Sequence, residues 1–157
     1  MVGLVSLDHA WIAAHIPHQG EMCLLHRVQD WDAQSVRCSA VSHRALNNPL
    51  RAHGRLGAAC GIEYAAQAMA VHGALLASQV APAKAGFLAS VRAARLHVGR
   101  LDDIAAELTV EARQFSSDGN NVLYDFWVRA AGRILLEGRA AVVLNARQSI
   151  AAAAHQP

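Results

Sequence analysis

Lysine is nearly missing from this sequence: Lys84 stands alone among many arginines, and the formal net charge is only +2. The arginines are scattered, so no basic patch of the kind that follows a nucleic acid is present. Cysteine is also scarce. Cys23, Cys38 and Cys60 are odd in number, lie far apart and form no C-x-x-C pair. That argues against both a disulfide framework and a zinc knot. No apolar run reaches the roughly 18 residues a membrane span needs. Met1 to Asp8 lack the basic flank and long apolar stretch of a signal peptide, so a reduced, cytoplasmic protein is expected. No glycine-rich phosphate loop occurs. Ser116, Ser117 and the cysteines carry no nucleophile signature. His9, His15, His18 and His26 are dense, but Pro17 interrupts helical spacing and no carboxylate or thiol completes a ligand set. Neither a metal nor another cofactor is expected.

What is abundant is apolar bulk. The chain has 157 residues, 54% of them hydrophobic, which suits one domain with a sizeable core and excludes a disordered chain. The expected domain spans 1–150. The low-complexity tail 151–157 is expected to fray.

The pattern predicts a short helix over Leu7 to Ala14, with Ser6 as its cap and Pro17 as its stop. Strands are predicted over Met22 to Trp31 and Ser35 to Ser42, followed by a loop at Asn47-Asn48-Pro49. Leu56 to Gln79 is rich in Ala, Met and Leu, and Glu63 is its only acidic residue. A helix that is apolar nearly all round is buried. Beyond Pro82 the period becomes two. Gly86 to Val98, the stretch around Leu108 to Ala112, Val122 to Val128 and Ile134 to Asn145 read as four strands in a meander. Asp118-Gly119-Asn120-Asn121 and Ala131-Gly132-Arg133 supply the turns. The expected class is α+β, an antiparallel sheet wrapped around one long buried helix. Such a small sheet leaves apolar surface that dimerisation would cover.

Three groups of residues offer chemistry. Glu63 and Gln67 stand one turn apart on the buried helix. A lone carboxylate there is either a structural group bonded to an amide or arginine, or a functional acid whose pKa burial raises. His18 sits in a proline-fixed turn; it is either a base or a turn-holding hydrogen-bonder. The segment Asn47 to Leu56 leads into the helix, with His53 as a second candidate base and a solvated loop as the bland alternative. The helix N-terminus that follows offers free backbone N–H groups that would stabilise a substrate carbonyl or phosphate. His72, about two and a half turns beyond Glu63, lies off its face and reads as packed or as part of a dimer interface.

Ile16-Pro17-His18-Gln19-Gly20-Glu21-Met22, continuing to Arg27-Val28, resembles the opening of the hot-dog-fold 3-hydroxyacyl-ACP dehydratases. Gly61-Ile62-Glu63-Tyr64-Ala65-Ala66-Gln67-Ala68 resembles their central helix. The likeness runs from about His15 to Asn145 and is nearest to the divergent branch of aryl polyene and related pigment clusters. It implies a hydro-lyase that removes water from a 3-hydroxyacyl thioester on acyl carrier protein to leave the trans-2-enoyl thioester. Glu63 carries over as the acid, kept protonated by burial, with Gln67 orienting it. The family's His-Phe-Pro-Gly segment ahead of the helix is absent, and His26 replaces the Asp before Arg27. The base is therefore His18, or His53, or has been lost. The resemblance also implies that amides near Gly57 hold the thioester carbonyl and that an acyl tunnel runs beside Ala59, Ala66, Ala70 and Gly73, at a dimer interface where base and acid come from different subunits. The partner is an identical chain or another hot-dog protein. Arg51, Arg55, Arg92 and Arg95 would meet the carrier. A thioesterase using Glu63, and a non-catalytic subunit paired with an active dehydratase, are the alternatives.

Overall fold

The structure is a computed structural model that describes residues 6–77 and 86–144. The expected tail at 151–157 lies outside the described residues, as do the ends predicted for the long helix (Gln79) and the last strand (Asn145). Helix α1 spans His9–His15, and Asp8 caps it, its carboxylate accepting the Trp11 N–H at 3.0 Å. Ser6 is not the cap: an aspartate two residues later sits where the free amides point. Strands β1 (Arg27–Trp31) and β2 (Ser35–Ala40) form a hairpin closed by Asp32, which accepts the Gln34 and Ser35 amides. Helix α2 runs Gly61–Ala77 after a 3-10 turn at Ala58–Cys60. Then follow β3 (Gly86–Leu96), β4 (Leu108–Ser117), β5 (Asn121–Ala130) and β6 (Arg133–Leu144).

Two expectations change. The strand predicted from Met22 begins only at Arg27, because Gly20–Met22 form a 3-10 turn and Leu24 bonds to α2 instead of to a strand. The last four strands are also not one meander. The sheet order is β1-β2-β4-β5-β6-β3, antiparallel throughout, so β3 crosses to the far edge and pairs with β6. The sheet packs one face on α2. Val122, Tyr124, Phe126, Val128 and Ala130 of β5 alternate inward, joined by Leu108, Val110 and Ala112 of β4. The β5–β6 turn places Ala131 at φ +50° and Gly132 at +77°, a two-residue turn whose twist matches the strands. β3 differs from its neighbours: every position on it is exposed or half-exposed, with Phe87, Leu88 and Leu96 open to solvent.

Gly138 shows how tightly β6 meets the core. A Cβ there would stand 2.7 Å from Phe126 Cζ and 3.3 Å from the Ala94 Cα. The buried ring and the backbone have little freedom to yield, so Gly138→Ala should cost about 1–3 kcal/mol in urea unfolding. An unchanged midpoint would show that the ring moves freely.

Two buried histidines tie distant segments together, His72 between the helix and the sheet and His43 between the turn after β2 and the loop before β4. His72 is fully buried; its Nε2–H donates to the Asp32 carbonyl and its Nδ1 accepts the Tyr124 hydroxyl, both at 2.9 Å. His43 is fully buried too, its Nε2–H shared by the Ile104 and Ala106 carbonyls. Burial pushes both imidazoles below their usual range. The unfolded chain therefore binds more protons, and this stability is complete above about pH 6.5 and drains away below it. Thermal melts at about pH 7.5 and about pH 5.5 should show a lower Tm at the acid value. Equal values would mean these rings accept protons while folded.

Candidate active site

The segment after α1 carries His18. Ile16 is buried and anchors it, and Gly20 at φ +57° turns the chain into the 3-10 turn. This brings His18 over the first turns of α2. His18 Nε2 lies 3.1 Å from Glu63 Oε1, within one chain. Both side chains are partly open, 25% for His18 and 34% for Glu63. The other ring nitrogen, His18 Nδ1, is buried without a hydrogen-bond partner among the described residues.

Glu63 departs from the expectation of a burial-raised acid. The hydrogen bond from His18 holds its carboxyl below the ordinary range, with burial opposing and Gln67 assisting. Desolvation alone would raise its pKa, and the bond from His18 reverses the sign. Glu63 is a carboxylate at neutral pH, and His18 Nε2–H donates to it.

Gln67 is fully buried and is the hub beneath the pair. Its Oε1 accepts the Leu24 N–H at 2.9 Å; its Nε2 donates to the Met22 carbonyl at 2.7 Å and to Glu63 Oε1 at 3.4 Å. It therefore fixes the His18-bearing segment to the helix. Along α2 the half-open positions are Ile62, Glu63, Ala66, Ala70, Leu76 and Ala77, with Gly73 more exposed. Ala66 and Ala70 thus share an open stripe with Glu63 at helical spacing.

The family model of the ApeP-like dehydratases matches residues 10–153. The chain belongs to that family. Among solved structures, this ApeP-like dehydratase is similar to the dehydratase heterocomplex ApeI:P from Xenorhabdus doucetiae, with TM-score 0.81 and 19% identity, covering 92% of this chain and 97% of that one. It is also similar to a mutant thioesterase from Pseudomonas aeruginosa, with TM-score 0.56 and 15% identity over 75% of this chain and 79% of that one. A Helicobacter felis protein matches with TM-score 0.62 and 11% identity over 93% of each chain. A comparison with curated proteins finds no match. These structural likenesses carry the fold, a hot-dog sheet around one helix. The family model carries the dehydratase assignment.

The remaining expected site residues are not all gathered in this ApeP-like dehydratase. His53 sits at the exposed tip of a two-residue turn, at φ +52° beside Gly54 at +76°, closed by bonds between Ala52 and Arg55. Nothing among the described contacts joins it to Glu63. Gly57 is half-buried and Ala59 exposed at the 3-10 turn before α2. The neighbouring amides are largely committed: Leu56 N–H to Asp102, Ala58 N–H to the Gly99 carbonyl, and Cys60 N–H to the Gly57 carbonyl. His18 and Glu63, expected from different subunits, are in contact within one chain. Arg51, expected to face a carrier, instead bonds the Ala45, Arg44 and Gly54 carbonyls and lies near the well-covered Asp102. Sequence reasoning missed Ser42 and Asn48, whose polar contacts with Tyr64 are described below. No helix among the described residues is long and apolar enough to cross a membrane.

Proposed function

We propose that this dehydratase removes water from a 3-hydroxyacyl thioester carried on acyl carrier protein, with His18 as the proton-transfer group and Glu63 as its anionic partner. The observation that carries this reading is the 3.1 Å contact between His18 Nε2 and Glu63 Oε1. In the neutral ring, Nε2–H is held by Glu63, so Nδ1 bears the lone pair; it is covered in this structure, so the substrate must displace the groups that cover it. Nδ1 takes the proton from the carbon next to the thioester carbonyl, and the electron pair left behind delocalises as an enolate. The enolate then expels the hydroxyl at the next carbon. That hydroxyl takes a proton from the imidazolium and leaves as water, which returns His18 to neutral. Glu63 stabilises the transient imidazolium. The Gly57 and Ala59 amides are the candidates for the carbonyl oxygen. The acyl chain lies along Ala66 and Ala70.

The same reading takes 1–150 as one hot-dog domain in the cytoplasm, acting as a homodimer or beside another hot-dog protein. Support for a partner is physical: the β3 edge is long, exposed and partly apolar, and such edges are covered in stable proteins. Arg92 and Arg95 lie on that strand with no acidic residue, which favours a partner edge that carries acid. The resemblance to a heterocomplex gives the partnered reading specific support.

The test is mass spectrometry of a 3-hydroxyacyl carrier incubated with the protein alone, then with a second hot-dog dehydratase. Loss of one water without the partner is the expected result. Release of free acid would make it a thioesterase. Activity that belongs wholly to the second protein would make it a non-catalytic subunit.

A further inference from the structure

We propose that the hydroxyls of Tyr64 and Ser42, backed by Asn48, form a positioning relay that holds His18 against Glu63; the inference rests on the reading of that pair as the reacting one. Tyr64 follows Glu63 on α2 and is fully buried. Its hydroxyl is 2.8 Å from Ser42 Oγ and 3.1 Å from Asn48 Nδ2. The proton directions follow from chemistry. Ser42 Oγ–H must donate to the Leu24 carbonyl, 2.7 Å away, because a carbonyl only accepts. Ser42 Oγ therefore accepts from Tyr64 O–H, and Tyr64 in turn accepts from the Asn48 amide. The same Asn48 amide also donates to the Ser42 carbonyl at 2.9 Å, and Asn48 Oδ1 accepts the Leu50 N–H at 2.9 Å.

The result is a two-sided grip on one residue. The Leu24 N–H goes to Gln67, and the Leu24 carbonyl goes through Ser42 to Tyr64. Tyr64 and Gln67 are one turn apart on α2, next to Glu63. Leu24 is joined to His18 by the compact 3-10 turn, closed by Met22 N–H to the Gln19 carbonyl and Cys23 N–H to the Gly20 carbonyl, both at 3.1 Å. Asn47 adds a second tie from the same loop, donating to Glu21 Oε1 at 2.9 Å. The turn acts as a short lever with its far end fixed by the relay and His18 at its near end. A core tyrosine that merely satisfies its hydroxyl needs one partner, whereas Tyr64 has two, and one of them, Ser42, is bonded to the residue that sets the lever.

The test uses Tyr64→Phe, Ser42→Ala and Ser42→Thr in the full-length protein, with circular dichroism to establish that each folds. Carbon-13 NMR follows the Glu63 carboxyl titration without substrate, where His18 is the titratable group facing it among the described residues. In Tyr64→Phe and Ser42→Ala the Glu63 midpoint should rise toward that of an ordinary carboxylate, and kcat should fall about tenfold with KM changed less than about twofold. Ser42→Thr, which keeps the hydroxyl, should restore both. Folded Tyr64→Phe and Ser42→Ala with unmoved midpoint and kcat would overturn the relay, as would a loss of stability alone. If either variant does not fold, the other decides. A wild type that dehydrates nothing, with a midpoint that still moves in Tyr64→Phe, would sink the functional reading and leave the relay standing.

Discussion

Replacing His18 with alanine is expected to lower kcat for dehydration by about 10²–10⁴-fold, the usual contribution of a positioned acid–base group. The chain should remain folded, because His18 is a quarter exposed and its Nδ1 holds no other group. KM should change little, since the imidazole acts on a proton and not on the acyl chain. A second consequence follows in the same variant. The leading cause of the low Glu63 pKa is the bond from His18, with burial opposing it. Without the ring, burial has less opposition and the Glu63 midpoint rises. Glu63→Gln is the complementary change. It keeps the shape and removes the charge that steadies the imidazolium, and it should lower kcat by about 10²-fold or more. Near-normal turnover in His18→Ala would remove His18 from the chemistry.

Gln67→Leu should be the most damaging single change to stability near the site. The substitution preserves approximate volume but strands the Leu24 N–H and the Met22 carbonyl, both bonded to the fully buried Gln67. A buried polar group left unpaired costs about 1–3 kcal/mol, so the expected loss is about 2–5 kcal/mol in urea unfolding. Activity should fall further than stability explains, because the segment that presents His18 loses its tether. Gln67→Glu does not repair it. A carboxylate accepts the Leu24 N–H but cannot donate to Met22, and it sets a second negative charge one turn from Glu63. A loss below about 0.5 kcal/mol in Gln67→Leu would mean that water replaces the amide without cost.

How much of this was legible in the sequence depends on the range of the forces involved. The central helix, the β4–β5 and β5–β6 turns and the Glu63/Gln67 spacing are local patterns, and the structure contains them. Met22 to Leu25 look like a buried strand, yet the Met22 carbonyl and both Leu24 backbone groups bond to Gln67 and Ser42, and the Met22 and Cys23 amides close the 3-10 turn, instead of pairing with a neighbouring strand. No local rule predicts a partner more than forty residues away, as Gln67 is from Leu24. The same reach hid Ser42, read as the end of a strand that stops at Ala40, and Asn48, read as a loop residue. The course of β3 was lost for a related reason: order along the chain does not say on which edge a strand lands after a helix crosses the sheet. His53 read as a plausible base because it precedes the helix, but its left-handed conformation places it at the tip of an exposed turn. For Glu63, burial was legible and the contact with His18 was not, so the direction of its pKa shift came out reversed.

His18 and Glu63 of the same chain form the reacting pair, and a mixing experiment tests this. His18→Ala and Glu63→Ala proteins are denatured together, refolded as a mixture and assayed on a 3-hydroxyacyl carrier. If the pair forms within a chain, every site in the mixture lacks one member, and activity stays at the level of the separate variants. If base and acid came from different subunits, random pairing would rebuild about a quarter of the wild-type activity, and that recovery would contradict the account.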